Sequence, residues 1–493
     1  MPSAVAAPNK RLVLVAMIFA VAMMFIDQTI VALAIPQLDR DLSLSATGGQ
    51  WIINGYLLSL SALFAFGGKL ADHLGHRRTV TIGVIGFAVC SALCGATPTG
   101  EIGETWMIVF RILQGAFAAL LFPAALAIVV AAFPLRERGR ALALFFGVTG
   151  GLTAVGPLAG GYLTEWTWRA IFWINIPVAL IALVLIAKSK PAQEPRPGRI
   201  DYRGAVLISA AMGLIVLGLQ QASVWGWEDL RTWACIAAGL VLLALFVVSQ
   251  LNRQEPLIQV GIFAQRAFAA DNAILFLMSA AFVPLFFFAS VYAQASLGYD
   301  ASSAGTLLLV FFGGFVVASQ WGGKILDERG AKPAVVLGCA LAAVGFYLWG
   351  AQLPDLDFSS QWYYLALAGA GMGLVLGPVS TDAVNRAPHT SYGEVTGITQ
   401  TTRNFGASLG LAIMGSIFAS ESASHAGGRA LADTPQLAVA DATQTVVWIM
   451  AGVMAGAFLV ARLWLPSGRV EDPLAAETDA ADRDAAPETP AAV

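Results

Sequence analysis

Long apolar stretches separated by short polar breaks run through almost the whole chain, the first from Leu12 to Ala34 and the last near 444–465. A helix needs roughly 20 apolar residues to cross a hydrocarbon core of about 30 Å, and only helices or closed barrels satisfy their backbone groups there. The runs are continuous rather than alternating, which excludes a barrel. Taking each run between charged or Pro/Gly-rich breaks predicts fourteen spans: 12–35, 51–68, 79–97, 105–131, 141–163, 169–187, 204–222, 232–250, 268–293, 304–322, 333–351, 362–383, 394–420 and 444–465. The expected fold class is an all-α membrane protein. The first run follows Lys10 and Arg11 and exceeds the roughly 7–15 residues of a signal-peptide core, so it is expected to stay as the first span.

Composition supports a lipid solvent. The chain is 57% hydrophobic and 12% charged, against about 25% charged in ordinary soluble domains. Its formal net charge of −3 gives no reason to expect nucleic acid, so charge is informative by position. Basic residues crowd alternate breaks: Lys69, Arg77 and Arg78 after the second span, Arg136, Arg138 and Arg140 after the fourth, Lys188 to Arg203 after the sixth, and Lys324, Arg329 and Lys332 after the tenth. The other breaks carry acids such as Glu101, Glu104, Asp355 and Asp357. An even span count with this bias predicts a multi-pass plasma-membrane protein with both termini cytoplasmic. Cys90, Cys94, Cys235 and Cys339 all lie in apolar runs without metal-ligand spacing and read as packing residues; no metal is expected.

Two breaks repeat each other. Gly68-Lys69-Leu70-Ala71-Asp72-His73-Leu74-Gly75-His76-Arg77 and Gly323-Lys324-Ile325-Leu326-Asp327-Glu328-Arg329-Gly330-Ala331-Lys332 share Gly-Lys at the start, Asp fifth, Gly eighth and a base tenth. This pairs spans 1–6 with spans 9–14 as an internal duplication. The expected organisation is a six-helix bundle over 1–187, a cytoplasmic linker over 188–203, two inserted helices over 204–250, a second six-helix bundle over 251–468 and a disordered cytoplasmic tail over 469–493.

Ionisable groups inside a membrane are costly and mark ion or substrate pathways. Asp27 lies nine positions before Pro36, about 13 Å in at a rise of 1.5 Å per residue, and Arg111 lies seven positions after Glu104, about 10 Å in from the same side. At one level they can pair across a central cavity, and protonation can open the pair. A permanent structural ion pair is the competing explanation. Gln400, Arg403 and Asn404 form a polar patch in span 13, where Arg403 either holds substrate or bonds neighbouring backbone oxygens; no deep acid stands beside it. Gln28, Asn54, Gln114 and Gln294 are further candidates for the cavity wall, and Asp271, Asp382 and Glu394 read as solvated helix ends. In span 5, Gly147, Gly151 and the unit Gly156-Pro157-x-x-Gly160-Gly161 allow close helix approach, with Pro157 bending the rod.

These motifs together resemble the major facilitator superfamily, specifically its fourteen-helix drug:proton antiporter family. The run Gly68 to Arg78 is similar to the superfamily's cytoplasmic gate motif, with histidines at 73 and 76 where arginine is usual. Arg111-Ile112-Leu113-Gln114-Gly115 resembles its fourth-helix motif, and Gly156-Pro157-Leu158-Ala159-Gly160-Gly161 the antiporter motif. Asp27-Gln28-Thr29-Ile30-Val31 resembles the first-helix motif of this branch, and Trp168 to Pro177 its entry to the sixth helix. The resemblance implies two six-helix bundles plus two inserted helices, alternating access, and proton-coupled export of hydrophobic or cationic small molecules. It assigns proton coupling to Asp27 and Arg111, a cytoplasmic gate to Gly68, Asp72, Gly75, Arg77 and Arg78, and a sliding seam to Gly156, Pro157, Gly160 and Gly161. The proton is then the coupling ion, with no other cofactor; the partners are a small-molecule substrate and the bilayer, and a monomer is expected. Proton-coupled uptake and a non-transporting membrane sensor are the alternatives. Enzyme chemistry is not expected, because no nucleophile, metal or phosphate-binding motif is present in the sequence.

Overall fold

The computed structural model describes residues 9–45, 47–133, 135–189, 201–385, 392–426 and 435–468. The acidic tail 469–493, most of the linker 188–203, and the side chains of Arg136, Arg138, Arg140, Phe146, Gly147, Gly151, Glu394 and Arg429 lie outside the described residues.

Fourteen long helices follow one another, and there is no strand among the described residues. They are α1 (Lys10–Leu42), α2 (Gly48–Leu74), α3 (His76–Gly95), α4 (Gly103–Ala132), α5 (Leu135–Trp166), α6 (Ala170–Ser189), α7 (Tyr202–Trp225), α8 (Leu230–Leu251), α9 (Arg266–Val291), α10 (Ala301–Arg329), α11 (Ala331–Gln352), α12 (Trp362–Asn385), α13 (Tyr392–Ala426) and α14 (Gln436–Leu463). Thirteen are long and apolar enough to cross a membrane by composition alone; α5, whose first turn is strongly basic, is the fourteenth. Many apolar side chains point outward, as in α8, where Leu240, Val241, Leu245 and Val248 are exposed. In water such a surface is a liability; in hydrocarbon it costs nothing.

The duplication read from two short breaks governs the whole packing scheme. In the first half α2 and α3 pack on α4, and α1 packs on α5 and α6; in the second, α10 and α11 pack on α12, and α9 packs on α13 and α14. The halves meet along two equivalent seams, α5 with α10 and α13 with α2. Helix α7 pairs with α8 and lies over the α2–α13 seam.

The two repeated breaks are not loops. Helix α2 runs through the first motif to Leu74, and α3 begins at His76, so Gly75 alone forms the joint at φ 91°. Helix α10 likewise runs to Arg329, and Gly330 at φ 83° joins it to α11. A positive φ at the joint is the reason each motif carries glycine at its eighth position.

Several helices overrun the expected spans. Helix α1 continues through Pro36 to Leu42, because Asp41 at its far end accepts a hydrogen bond from Trp168 Nε1 at 2.7 Å and is held there. The start of α7 was not foreseen as a polar cluster. Asp201 caps the helix, accepting from Gly204 N at 2.8 Å, from Gln250 Nε2 at 2.8 Å and from Arg253 Nη1 at 2.7 Å. Gln250 Oε1 in turn accepts from Leu257 N at 2.6 Å, so one buried carboxylate ties both inserted helices to the segment leading into α9. Asp201→Ala removes a cap and a buried charge-assisted acceptor, and is expected to lower stability by about 2–3 kcal/mol, read as earlier thermal unfolding in detergent.

Candidate functional site

Helices α1, α2 and α4 meet around one buried charge pair. Arg111 Nη1 lies 2.5 Å from Asp27 Oδ2, with the two side chains 1% and 0% exposed. The other carboxylate oxygen, Asp27 Oδ1, accepts from Gln114 Nε2 at 3.0 Å, while Gln114 Oε1 accepts from Arg111 Nη1 at 2.7 Å. Arg111 Nε donates to the Ile52 carbonyl at 2.9 Å, and its guanidinium lies 4.3 Å from the centre of the Tyr56 ring.

Helical spacing explains this geometry. Arg111 and Gln114 are three apart on α4 and project from one face, so both reach the same aspartate. Gly115 sits so close to Tyr56 that a Cβ there would overlap the Tyr56 carbonyl oxygen and Ser59, and this approach of α4 to α2 brings the Ile52 carbonyl and Tyr56 ring to Arg111. A desolvated ion pair is tolerable only when its remaining donors and acceptors are satisfied, which these contacts supply.

Two expectations change here. Gln114, expected on the substrate wall, is committed to the ion pair through both of its amide atoms. The pair, expected to face a water-accessible hollow, is sealed from solvent in this conformation. The sequence reading missed Tyr56 and the Ile52 carbonyl, since a backbone oxygen leaves no trace in a sequence and Tyr56 is one aromatic among many.

The other candidates separate into groups. Gln28 on α1 approaches Asn404 on α13 at 3.4 Å, and Ser61 Oγ on α2 donates to the Thr401 carbonyl at 2.8 Å, so this polar belt joins the two halves. Arg403 Nη1 donates to Gln400 Oε1 at 2.7 Å. Asn54 instead turns toward the inserted α7, where its amide is 2.6 Å from that of Gln220. Gln294, in the helical turn Tyr292–Ser296 that follows α9, donates to the Leu33 carbonyl at 3.1 Å and to Ser290 Oγ at 2.9 Å, closing the end of α9 against α1. Asp271 and Asp382, expected as solvated ends, are 0% and 2% exposed. Their neighbours Phe268 and Ala383 belong to an apolar cluster with α7, α8 and Leu257–Ile258, which covers this end of the bundle.

The glycine unit of α5 serves two interfaces at once. A Cβ on Gly156 or Gly160 would collide with Thr29 or Ile30 of α1, whereas one on Gly161 would lie 2.7 Å from the Ala301 carbonyl oxygen of α10. Gly305 of α10 answers from the other side, its Cβ position lying 2.5 Å from the Pro157 carbonyl oxygen. The α5–α10 seam is therefore closed backbone to backbone on the face remote from the chain termini. Gly305→Leu is expected to wedge that face open, seen as increased labelling of a cysteine placed at Ser302; unchanged labelling would show that the seam tolerates the bulk.

At the gate motif, Asp72 lies in the last turn of α2, half exposed, with His76 Nε2 3.6 Å away. The carboxylate thus stands at a helix C-terminus, and its basic partner is the next residue after the Gly75 joint.

Fourteen long helices, thirteen of them long and apolar enough to cross a membrane, with matching contacts in the two parts and a sealed charge pair in the first, define a polytopic membrane transporter rather than an enzyme. The family model described as Major Facilitator Superfamily matches residues 17–411, and the chain belongs to that family. It is 36% identical over 414 residues to the tetracenomycin C resistance and export protein of Streptomyces glaucescens, covering 83% of this chain and 76% of that one. It is 32% identical to the puromycin resistance protein pur8 of Streptomyces alboniger, covering 85% and 84%. Among solved structures, the fold resembles that of a D-xylose–proton symporter, with TM-score 0.64 and 12% identity over 92% of this chain and 98% of the other. At that identity the likeness is one of fold.

Proposed function

We propose that this protein exports small molecules of the drug and antibiotic type by alternating access, in exchange for protons, with Asp27 as the proton carrier and Arg111 as its partner. The observation that carries this reading is the buried Asp27–Arg111–Gln114 cluster: an ionisable group at 0% exposure, held by contacts from α1, α2 and α4 of the first half, on a helix whose next residue, Gln28, meets Asn404 of the second half. Relatives that bear resistance and export names support the direction of transport.

Deprotonated Asp27 binds Arg111 and locks α1 to α4. A proton on Asp27 cancels the attraction, frees the guanidinium and lowers the cost of separating the two helices. Proton entry is thereby linked to the conformational change that resets the empty carrier, and substrate outward movement to the deprotonated form. The basic breaks favour cytoplasmic termini, so on this reading the closed α5–α10 seam is external and this conformation is one closed to the outside. On this reading the two six-helix halves, 1–187 and 251–468, rock about the two seams. The inserted hairpin 204–250 rides over the α2–α13 seam.

Uptake into inside-out vesicles tests the scheme. Accumulation driven by an imposed pH gradient, abolished by a protonophore, is the expected result; accumulation that needs only ATP or is indifferent to the gradient would overturn it.

A further inference from the structure

The membrane core holds two arginines in unlike settings. Arg111 is fully paired, with a carboxylate, an amide, a carbonyl and an aromatic ring around it. Arg403 has one side-chain partner, Gln400, and its Nε is buried and meets no acceptor among the described residues. No carboxylate among them forms an ion pair with it.

Its direction follows from the contacts of α13. Asn404 faces Gln28 of α1, the Thr401 carbonyl and Gly415 face Ser61 and Gln50 of α2, and Gly406 and Gly410 press against the Phe276 and Ala280 carbonyls of α9. Successive residues turn by about 100° around a helix. Arg403 and Gln400 therefore fall on the arc between α9 and α1, the inner face of α13 where the two halves meet. Ala407, one turn further along the same arc, is buried, and Leu411 lies buried one turn beyond it, so the wall on that side of the guanidinium is apolar.

We propose that Arg403 and Gln400 form a recognition site for an oxygen acceptor, a carbonyl or hydroxyl oxygen on an otherwise apolar, ring-bearing substrate, and that this site selects against cations. A guanidinium with a spare buried donor gains most from a ligand that supplies an acceptor in a low-dielectric pocket. A cation brought to the same wall meets an unneutralised positive charge. The expectation of cationic cargo from the family resemblance is thereby narrowed to uncharged, acceptor-bearing molecules. This rests on the export reading for the direction of movement only; the binding preference stands without it.

The test uses the full chain in lipid nanodiscs and three fluorescent probes of one ring system: 1-pyrenecarboxaldehyde, unsubstituted pyrene and 1-pyrenemethylammonium, each corrected for binding to empty discs. Wild type is expected to bind the aldehyde about tenfold more tightly than either of the others, the discrimination typical of one buried hydrogen bond to a charged donor. Arg403→Met should abolish the preference and leave pyrene binding unchanged, and Arg403→Lys should keep part of it. Equal binding of the three probes by wild type, or an undiminished preference in Arg403→Met, would overturn the proposal. If Arg403→Met does not fold, the wild-type ranking alone decides. Asp27→Asn should keep the preference, so loss of proton coupling and loss of acceptor recognition are separable.

Discussion

Asp27→Asn is expected to bring pH-gradient-driven efflux down to the level seen with a protonophore, while substrate counterflow between the two faces continues. Asparagine has the shape of aspartate and can still meet Arg111 and Gln114, so packing is kept, but it takes no proton and carries no charge. The pair can then be neither locked nor unlocked by protonation. Uptake of substrate into inside-out vesicles, with and without an imposed gradient, separates the two activities. Gradient-driven accumulation at the wild-type rate in this variant would remove Asp27 from the coupling step.

The second large effect is expected on stability. Arg111→Gln leaves the Asp27 carboxylate at 0% exposure with only Gln114 to hold it. Removing one member of a buried pair typically costs about 3–5 kcal/mol, because the other charge is left uncompensated. Thermal unfolding in detergent at neutral pH should therefore come markedly earlier. Acidification, which protonates the stranded aspartate, should narrow the difference from wild type. The double variant Asp27→Asn with Arg111→Gln should regain much of the lost stability yet stay uncoupled. A single variant as stable as wild type would mean that the carboxylate finds another partner or is already protonated.

How far the sequence carried these conclusions depended on the range of the signal. Helix number was legible because lipid imposes one length on every span, and the duplication was legible because two motifs share five positions at fixed spacing. The meeting of Asp27 and Arg111 was expected from depth alone, although Pro36 was a false landmark: α1 continues to Leu42, and the residues match in level because its last turn overhangs toward Trp168. Partners set by tertiary approach were not legible. Nothing in the run around Ile52 marks its carbonyl as an arginine ligand, and nothing around Asn54 points to Gln220, 166 residues away. The burial of Asp271 and Asp382 was missed for a related reason. Position near a span end predicts solvent only if no other element covers that end, and here the inserted hairpin and residues 257–258 do so.

The division of labour between the halves follows from the same contacts. The first half holds an arginine paired with a carboxylate, the group that takes the proton in the proposed scheme; the second holds Arg403, whose side-chain partner is the Gln400 amide. The belt from Gln28 to Asn404 and from Ser61 to Thr401 lies between them, so a proton at Asp27 and a ligand at Arg403 would act on one interface from opposite sides.

Proton release on substrate binding tests the central claim most directly. In weakly buffered detergent solution with a pH-indicator dye, saturating the purified wild-type protein with a substrate established by the efflux assay should release protons into the medium. Asp27→Asn should bind the same substrate and release none. Equal release from both proteins would contradict an exchange seated on Asp27.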